Sequence, residues 1–97
     1  MRMTRPTLHR NSFANALRKL RKAKGLSQEA FSLASSRTHI SALERGIKKP
    51  ALDTVEELAE VLSVHPLTLL TLAYANETLD ESAESLMVRV QKELADM

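Results

Sequence analysis

From Phe13 to Leu94 the apolar residues recur three and four positions apart, in short runs interrupted by glycine, paired serines or proline. That spacing puts each run on one face of a helix and is unlike the strict alternation of a half-buried strand. Hydrophobic residues make up 43% of the chain but aromatic residues only 3%, so the core must be built from Leu, Ile, Val and Ala. Such a core suits packed helices better than a β-sandwich. Two glycines and three prolines leave few tight turns, and 97 residues is the size of one domain. The expectation is an all-α chain.

Residues 1–11 are polar and basic with Pro6 and no period, which reads as a flexible arm. Ser12 then caps a first helix carrying Phe13, Leu17 and Leu20, which Gly25 ends, with Leu26 folding back on the last turn. Ser27 caps a short second helix through about Ala34, with Ala30, Phe31 and Ala34 facing inward. Ser35 and Ser36 break that pattern and start a third helix, which buries Ile40 and Leu43, reaches about Arg45 and stops at Gly46. A basic connection, Ile47-Lys48-Lys49-Pro50, leads to a fourth helix over about 52–62 whose stripe is Leu52, Val55, Leu58, Ala59 and Leu62. Pro66 opens a fifth helix through about Ala75, with Leu67, Leu69, Leu70 and Leu72, and His65 before it takes the cap position. The last helix, about 80–95, aligns Leu79, Ala83, Leu86, Met87, Val90 and Leu94 on a charged rod.

Charge is sharply divided along this chain. Residues 1–50 hold 12 Lys and Arg against the two acids Glu29 and Glu44; residues 51–97 hold the two bases Arg89 and Lys92 against 10 acids. The basic half suits a polyanion and the acidic half repels one, although the halves could also attract each other within the fold or across a dimer. Other function classes find little support. The chain lacks cysteine, so it forms no disulfide or thiolate metal site. His9, His39 and His65 do not have metal-ligand spacing. No phosphate-cradling glycine loop or nucleophile-elbow serine occurs. An enzyme, a bound metal and a cofactor are therefore not expected. Nor is a membrane span or a signal peptide, and a reducing cytoplasm is the simplest setting.

Three short helices in succession, with a tight turn between the second and third, make a helix-turn-helix. The runs Gly25-Leu26-Ser27-Gln28-Glu29-Ala30-Phe31, Ser36-Arg37-Thr38-His39-Ile40-Ser41-Ala42-Leu43-Glu44-Arg45-Gly46 and Lys49-Pro50 resemble the Xre/Cro/CI family of bacterial and phage repressors. The resemblance extends over roughly residues 12–75. It implies a five-helix lambda repressor-like DNA-binding domain, to which residues 76–97 add a C-terminal amphipathic helix suited to dimerisation.

In that family the third helix enters the major groove, where each base pair shows a distinguishable edge. On this reading Arg37 and Thr38 lead the base contacts, Ser41 follows one turn on, and His39 touches a base edge or a phosphate. Ala42 aligns with a position that reads bases in some family members. Gln28 aligns with a phosphate-binding glutamine at the start of the second helix. Ser36, Arg45, Lys48 and Lys49 are further phosphate candidates, with Arg10 and Arg18 weaker ones beside Lys19, Arg2 and Arg5. Glu44 aligns with a family acid that pairs with a first-helix arginine, here Arg21, in a structural role. Gln28 and Ile40 stand closer together than in the family's pattern and no glycine lies between them, so either the second helix is a turn shorter or the corner is tighter.

The implied function is sequence-specific transcription regulation, as a repressor on a palindromic operator bound by a homodimer. Leu69, Leu72, Leu86 and Val90 are the expected interface, although the last helix could instead pack on its own chain. An antitoxin or a restriction–modification controller would share this fold, with a toxin or RNA polymerase as a protein partner. A protein-interaction module that does not bind DNA is a further alternative, against which Arg37, Arg45, Lys48 and Lys49 argue.

Overall fold

The computed structural model describes residues 5–32, 35–75 and 82–97, with side chains from 13 onward. The helices are α1 (Arg5–Ala23), α2 (Arg37–Glu44), α3 (Leu52–Leu62), α4 (Pro66–Tyr74) and α5 (Ala83–Ala95), with a 3₁₀ turn, Gln28–Phe31, between α1 and α2. No strand occurs among the described residues.

Two elements differ from the sequence expectation. Helix α1 begins at Arg5 rather than Ser12, so the residues expected as an arm overlap its first turns. Pro6 does not prevent this, because the early N–H groups of a helix have no intrahelical acceptor to lose. The expected second helix shrinks to the 3₁₀ turn, in which Ala30 N–H donates to Ser27 O and Ser32 N–H to Glu29 O. The short spacing before Ile40 is thus taken up by a shorter second element. Phe31 is fully buried, but Ala30 is exposed, contrary to expectation, because the tighter winding turns it away from the core. Ala34 and Leu79 lie outside the described residues.

Helices α1, α2 and α3 end in the same backbone closure. After α1, Gly25 N–H donates to Lys22 O and Leu26 N–H to Arg21 O; after α2, Gly46 N–H donates to Leu43 O and Ile47 N–H to Ala42 O. Both glycines have positive φ, +71° and +76°, which a residue without Cβ adopts freely. Helix α3 closes likewise, with Ser63 N–H to Glu60 O and Val64 N–H to Ala59 O, but the left-handed residue is Ser63 at φ 60°. Ser27, expected to cap the second helix, makes no side-chain cap hydrogen bond, and α3 starts after Ala51 without one; α2, α5 and α4 do start on side-chain caps. Ser36 Oγ accepts from His39 N–H, Ser82 Oγ from Ser85 N–H, and His65 Nδ1 from Leu67 N–H.

These stops turn the helices onto one core. Leu17, Phe31, Ile40, Leu43, Leu58, Leu62 and Leu69 are fully buried there, each stabilising the fold by roughly 1.5–3 kcal/mol. Helix α1 packs most extensively on α4 and also holds α2. Leu52 and Leu67, expected in the core stripes, are instead 67% and 61% exposed: each lies in the first turn of its helix, beyond the edge of the core. Helix α5 contacts α4, where Thr71 Oγ1 donates weakly to Met87 Sδ at 3.8 Å, yet buries no residue.

Candidate nucleic-acid interface

Helix α2 has two unlike faces. Ile40, Leu43 and Glu44 are buried, while Arg37, Thr38 and Arg45 are exposed and Ser41 and His39 are half-buried. Arg37, Ser41 and Arg45 are spaced by four, so they line one solvent-facing stripe with Thr38 beside it. An eight-residue helix is too short to hold itself together in water, so tertiary contacts must fix it.

The polar part of that anchoring centres on Glu44, whose side chain is 4% exposed. Arg21 from α1 grips its carboxylate with both ends of the guanidinium fork, Nε to Oε2 at 2.5 Å and Nη2 to Oε1 at 3.0 Å. Arg21 Nη1 also donates to Leu26 O at 2.9 Å, tying the pair to the α1 stop. Gln28 Nε2 donates to Glu44 Oε1 at 3.1 Å. Burial would raise the Glu44 pKa, but the hydrogen bonds from Arg21 and Gln28 and the charges of Arg21 and Arg18 outweigh it and hold the carboxyl below its ordinary range. The same carboxylate raises the pKa of Arg21. The sequence reading of Arg21 and Glu44 as a structural pair matches this geometry.

Several site expectations change. Ala42 is 8% exposed, so its methyl faces protein rather than a base; its carbonyl accepts from Ile47 and Lys48 N–H, where the chain after α2 folds back. The Gln28 amide donates one hydrogen bond from Nε2 to Glu44 Oε1. Arg18 donates from Nη1 to the backbone carbonyl of Glu44 at 2.8 Å and from Nη2 to Asn15 Oδ1 at 2.6 Å. Leu69 is fully buried in the core and Leu72 packs partly against it, so Leu69 cannot meet a second subunit. Leu86 is half-buried and Val90 39% exposed, both on α5. The Arg10 side chain lies outside the described residues.

Among the described residues, the cations after Arg18 in the expected interface face solvent. Lys48 and Lys49 are exposed beyond the α2 stop, and Arg45 curls so that its Nε donates to Ser41 O at 3.3 Å. Arg37 reaches Glu29 of the 3₁₀ turn at 3.2 Å, but both side chains are about 70% exposed, so the pair is weak and readily exchanged. Sequence reading missed Asn15 and Glu29. Opposite charges flanking the corner were the available signal for Glu29; nothing in the pattern marked Asn15.

A helix-turn-helix family model matches residues 17–69, just over half of the chain, spanning α1 from its core-facing Leu17 through to Leu69 in α4. This chain belongs to the helix-turn-helix family. Helix-turn-helix proteins of this type are DNA-binding transcription regulators, not enzymes, and the all-helical arrangement is of the lambda repressor-like kind. Over 55 residues the chain is 42% identical to an uncharacterized HTH-type transcriptional regulator, y4dJ, of Sinorhizobium fredii, covering 55% of this chain and 71% of that protein. It is 39% identical over 61 residues to the control protein C.BamHI of Bacillus amyloliquefaciens, covering 60% and 75%. No solved structure matches it. In this helix-turn-helix protein the 3₁₀ turn and α2 occupy the positions of the motif's two helices, and no helix among the described residues is long and apolar enough to cross a membrane.

Proposed function

We propose that the protein is a dimeric, cytoplasmic repressor that inserts α2 into the major groove of a palindromic operator. The observation that carries this reading is the division of α2: a face locked to the core by Ile40, Leu43 and Glu44, and a polar face of Arg37, Thr38, Ser41 and Arg45 left to solvent. Arg37 reads a guanine edge, Thr38 and Ser41 contact neighbouring bases, and His39 meets a base edge or a phosphate. Ser36, Arg45, Lys48 and Lys49 neutralise or hold the backbone on either side, and so carry affinity without sequence information. Dimerisation runs through α5, where Leu86, Val90, Met87 and Leu94 lie on one side of a helix that rests on α4 yet has no fully buried residue. Occlusion of RNA polymerase then accounts for repression.

Likeness to a protein named as a control protein favours a second reading of the same chemistry, that of a restriction–modification controller acting on its own gene pair. An endonuclease gene beside this one supports that role; a toxin gene in that place points to an antitoxin.

The test is selection of bound sites from random-sequence DNA at two salt concentrations. Recovery of an inverted repeat with half-sites about ten base pairs apart is the expected result. Binding that shows no enriched sequence and disappears uniformly with modest salt overturns the reading, and leaves the basic half as a general polyanion surface.

A further inference from the structure

We infer that Arg18, oriented by Asn15, is a positioning residue that sets the pitch of α2 and thereby the protein's sequence discrimination, rather than a phosphate contact. This inference rests on α2 being the DNA-reading element.

The last carbonyls of a helix need donor partners from outside its own ladder. In α2 the Ser41, Ala42 and Leu43 carbonyls are met by backbone groups of Arg45, Ile47, Lys48 and Gly46, all from the chain that immediately follows. The Glu44 carbonyl is different. Its partner is Arg18 Nη1 at 2.8 Å, from a residue 26 positions away on α1. The other terminal nitrogen of that guanidinium is held at 2.6 Å by Asn15 Oδ1, one turn back on the same helix. Glu44 is therefore clamped to α1 twice, by Arg21 through its carboxylate and by Arg18 through its main chain.

The two clamps do different things. The carboxylate sits at the end of a side chain with rotatable bonds, so Arg21 fixes that α2 stays near α1 more than how it lies. A hydrogen bond to the main-chain carbonyl acts on the helix axis itself. A cation at a helix C-terminus also suits the helix dipole. Loosening this bond lets the C-terminal end of α2 swing while Ile40 and Leu43 remain seated. Arg37 and Thr38, at the other end of the same short rod, then meet base edges at a less defined angle. Displacement of about 1 Å is enough to spoil positioned contacts of this kind.

The experiment compares wild type, Arg18→Gln and Asn15→Ala, each shown folded by thermal unfolding, on the selected operator and on a single-mismatch operator over a salt series. As a positioning residue, Arg18→Gln lowers the affinity ratio between the two sites by at least about fivefold and leaves the salt slope unchanged. Asn15→Ala, which alters no charge, reproduces part of that loss. A uniform drop on both sites with a salt slope reduced by about one, and no effect of Asn15→Ala, marks Arg18 as a phosphate contact and overturns the inference. Amide exchange in α2 without DNA supplies an independent readout. Faster exchange at Arg45, Gly46 and Ile47 in both variants is expected, and unchanged exchange counts against the clamp. If wild-type protein selects no operator, the DNA-reading assignment of α2 fails, while the exchange comparison still decides whether Arg18 and Asn15 hold the helix.

Discussion

Helices α2 and α5 look alike in the sequence. Both are capped by serine, both are amphipathic, and both carry charge on the polar side. In the fold they are opposites. Helix α2, with 8 residues, buries Ile40, Ala42, Leu43 and Glu44 and is held by α1 and the 3₁₀ turn; α5, with 13 residues, buries none and rests on α4. Length and periodicity therefore say little about how firmly a helix is held. What separates the two most clearly is the surroundings of one buried polar group: Glu44 recruits Arg21, Arg18 and Gln28, whereas the apolar stripe of α5 rests partly exposed on α4.

The comparison can be broken first at the apolar side of α2. Ile40→Ala removes a fully buried side chain and should lower unfolding free energy by roughly 2–5 kcal/mol in denaturant titrations. Next comes Glu44→Gln, which leaves Arg21 facing an uncharged amide in a part-buried site and should cost about 3 kcal/mol at neutral pH. Because the folded-state pKa of Glu44 lies below its ordinary 4.5, the stability it contributes is present above that value. It is lost as pH falls through the lower folded pKa. Unfolding measured from pH 6 down to pH 3 should therefore show a wild-type decline that is shallower in Glu44→Gln. A smaller effect of opposite sign is expected at the α3 stop. Ser63→Gly relieves a left-handed residue and should stabilise by about 1 kcal/mol, whereas a matching gain is impossible at Gly25 or Gly46. Smallest on folding is Val90→Ser in α5, under about 0.5 kcal/mol, because Val90 is already 39% exposed. The same substitution should weaken self-association in sedimentation measurements. A large loss of monomer stability there would erase the contrast between the two helices.

How far the sequence foretold this depends on where each piece of information sits. Local signals were legible: Gly25 and Gly46 end their helices, Ser36 begins α2, and His65 with Pro66 begins α4. Side chain to side chain pairing of opposite charge was legible too, as Arg21 and Glu44 show. Ser63 was not, since serine carries no preference for the left-handed region and the closure of α3 imposes it. The Arg18 contact escaped because its acceptor is a main-chain carbonyl, which every residue has and no pattern singles out. Alignment placed Ala42 among the base contacts, but which face of α2 packs inward is decided by the rest of the fold, and Ala42 is buried. Leu69 followed the same logic, as its position on α4 places it against the common core rather than a second subunit.

The two-faced construction of α2 has a bearing on how such a protein acquires new targets. Arg37 and Thr38 take no part in the core, and Arg37 meets an exposed acid. Replacing them should alter folding by no more than about 0.5 kcal/mol in either direction. Mutation can therefore wander through many combinations at these sites without the chain first having to gain spare stability. The residues beneath have no such latitude. Divergence between descendants of this protein should accordingly concentrate on one side of a single short helix, and a designer seeking a different binding site has a small, separable alphabet to rewrite.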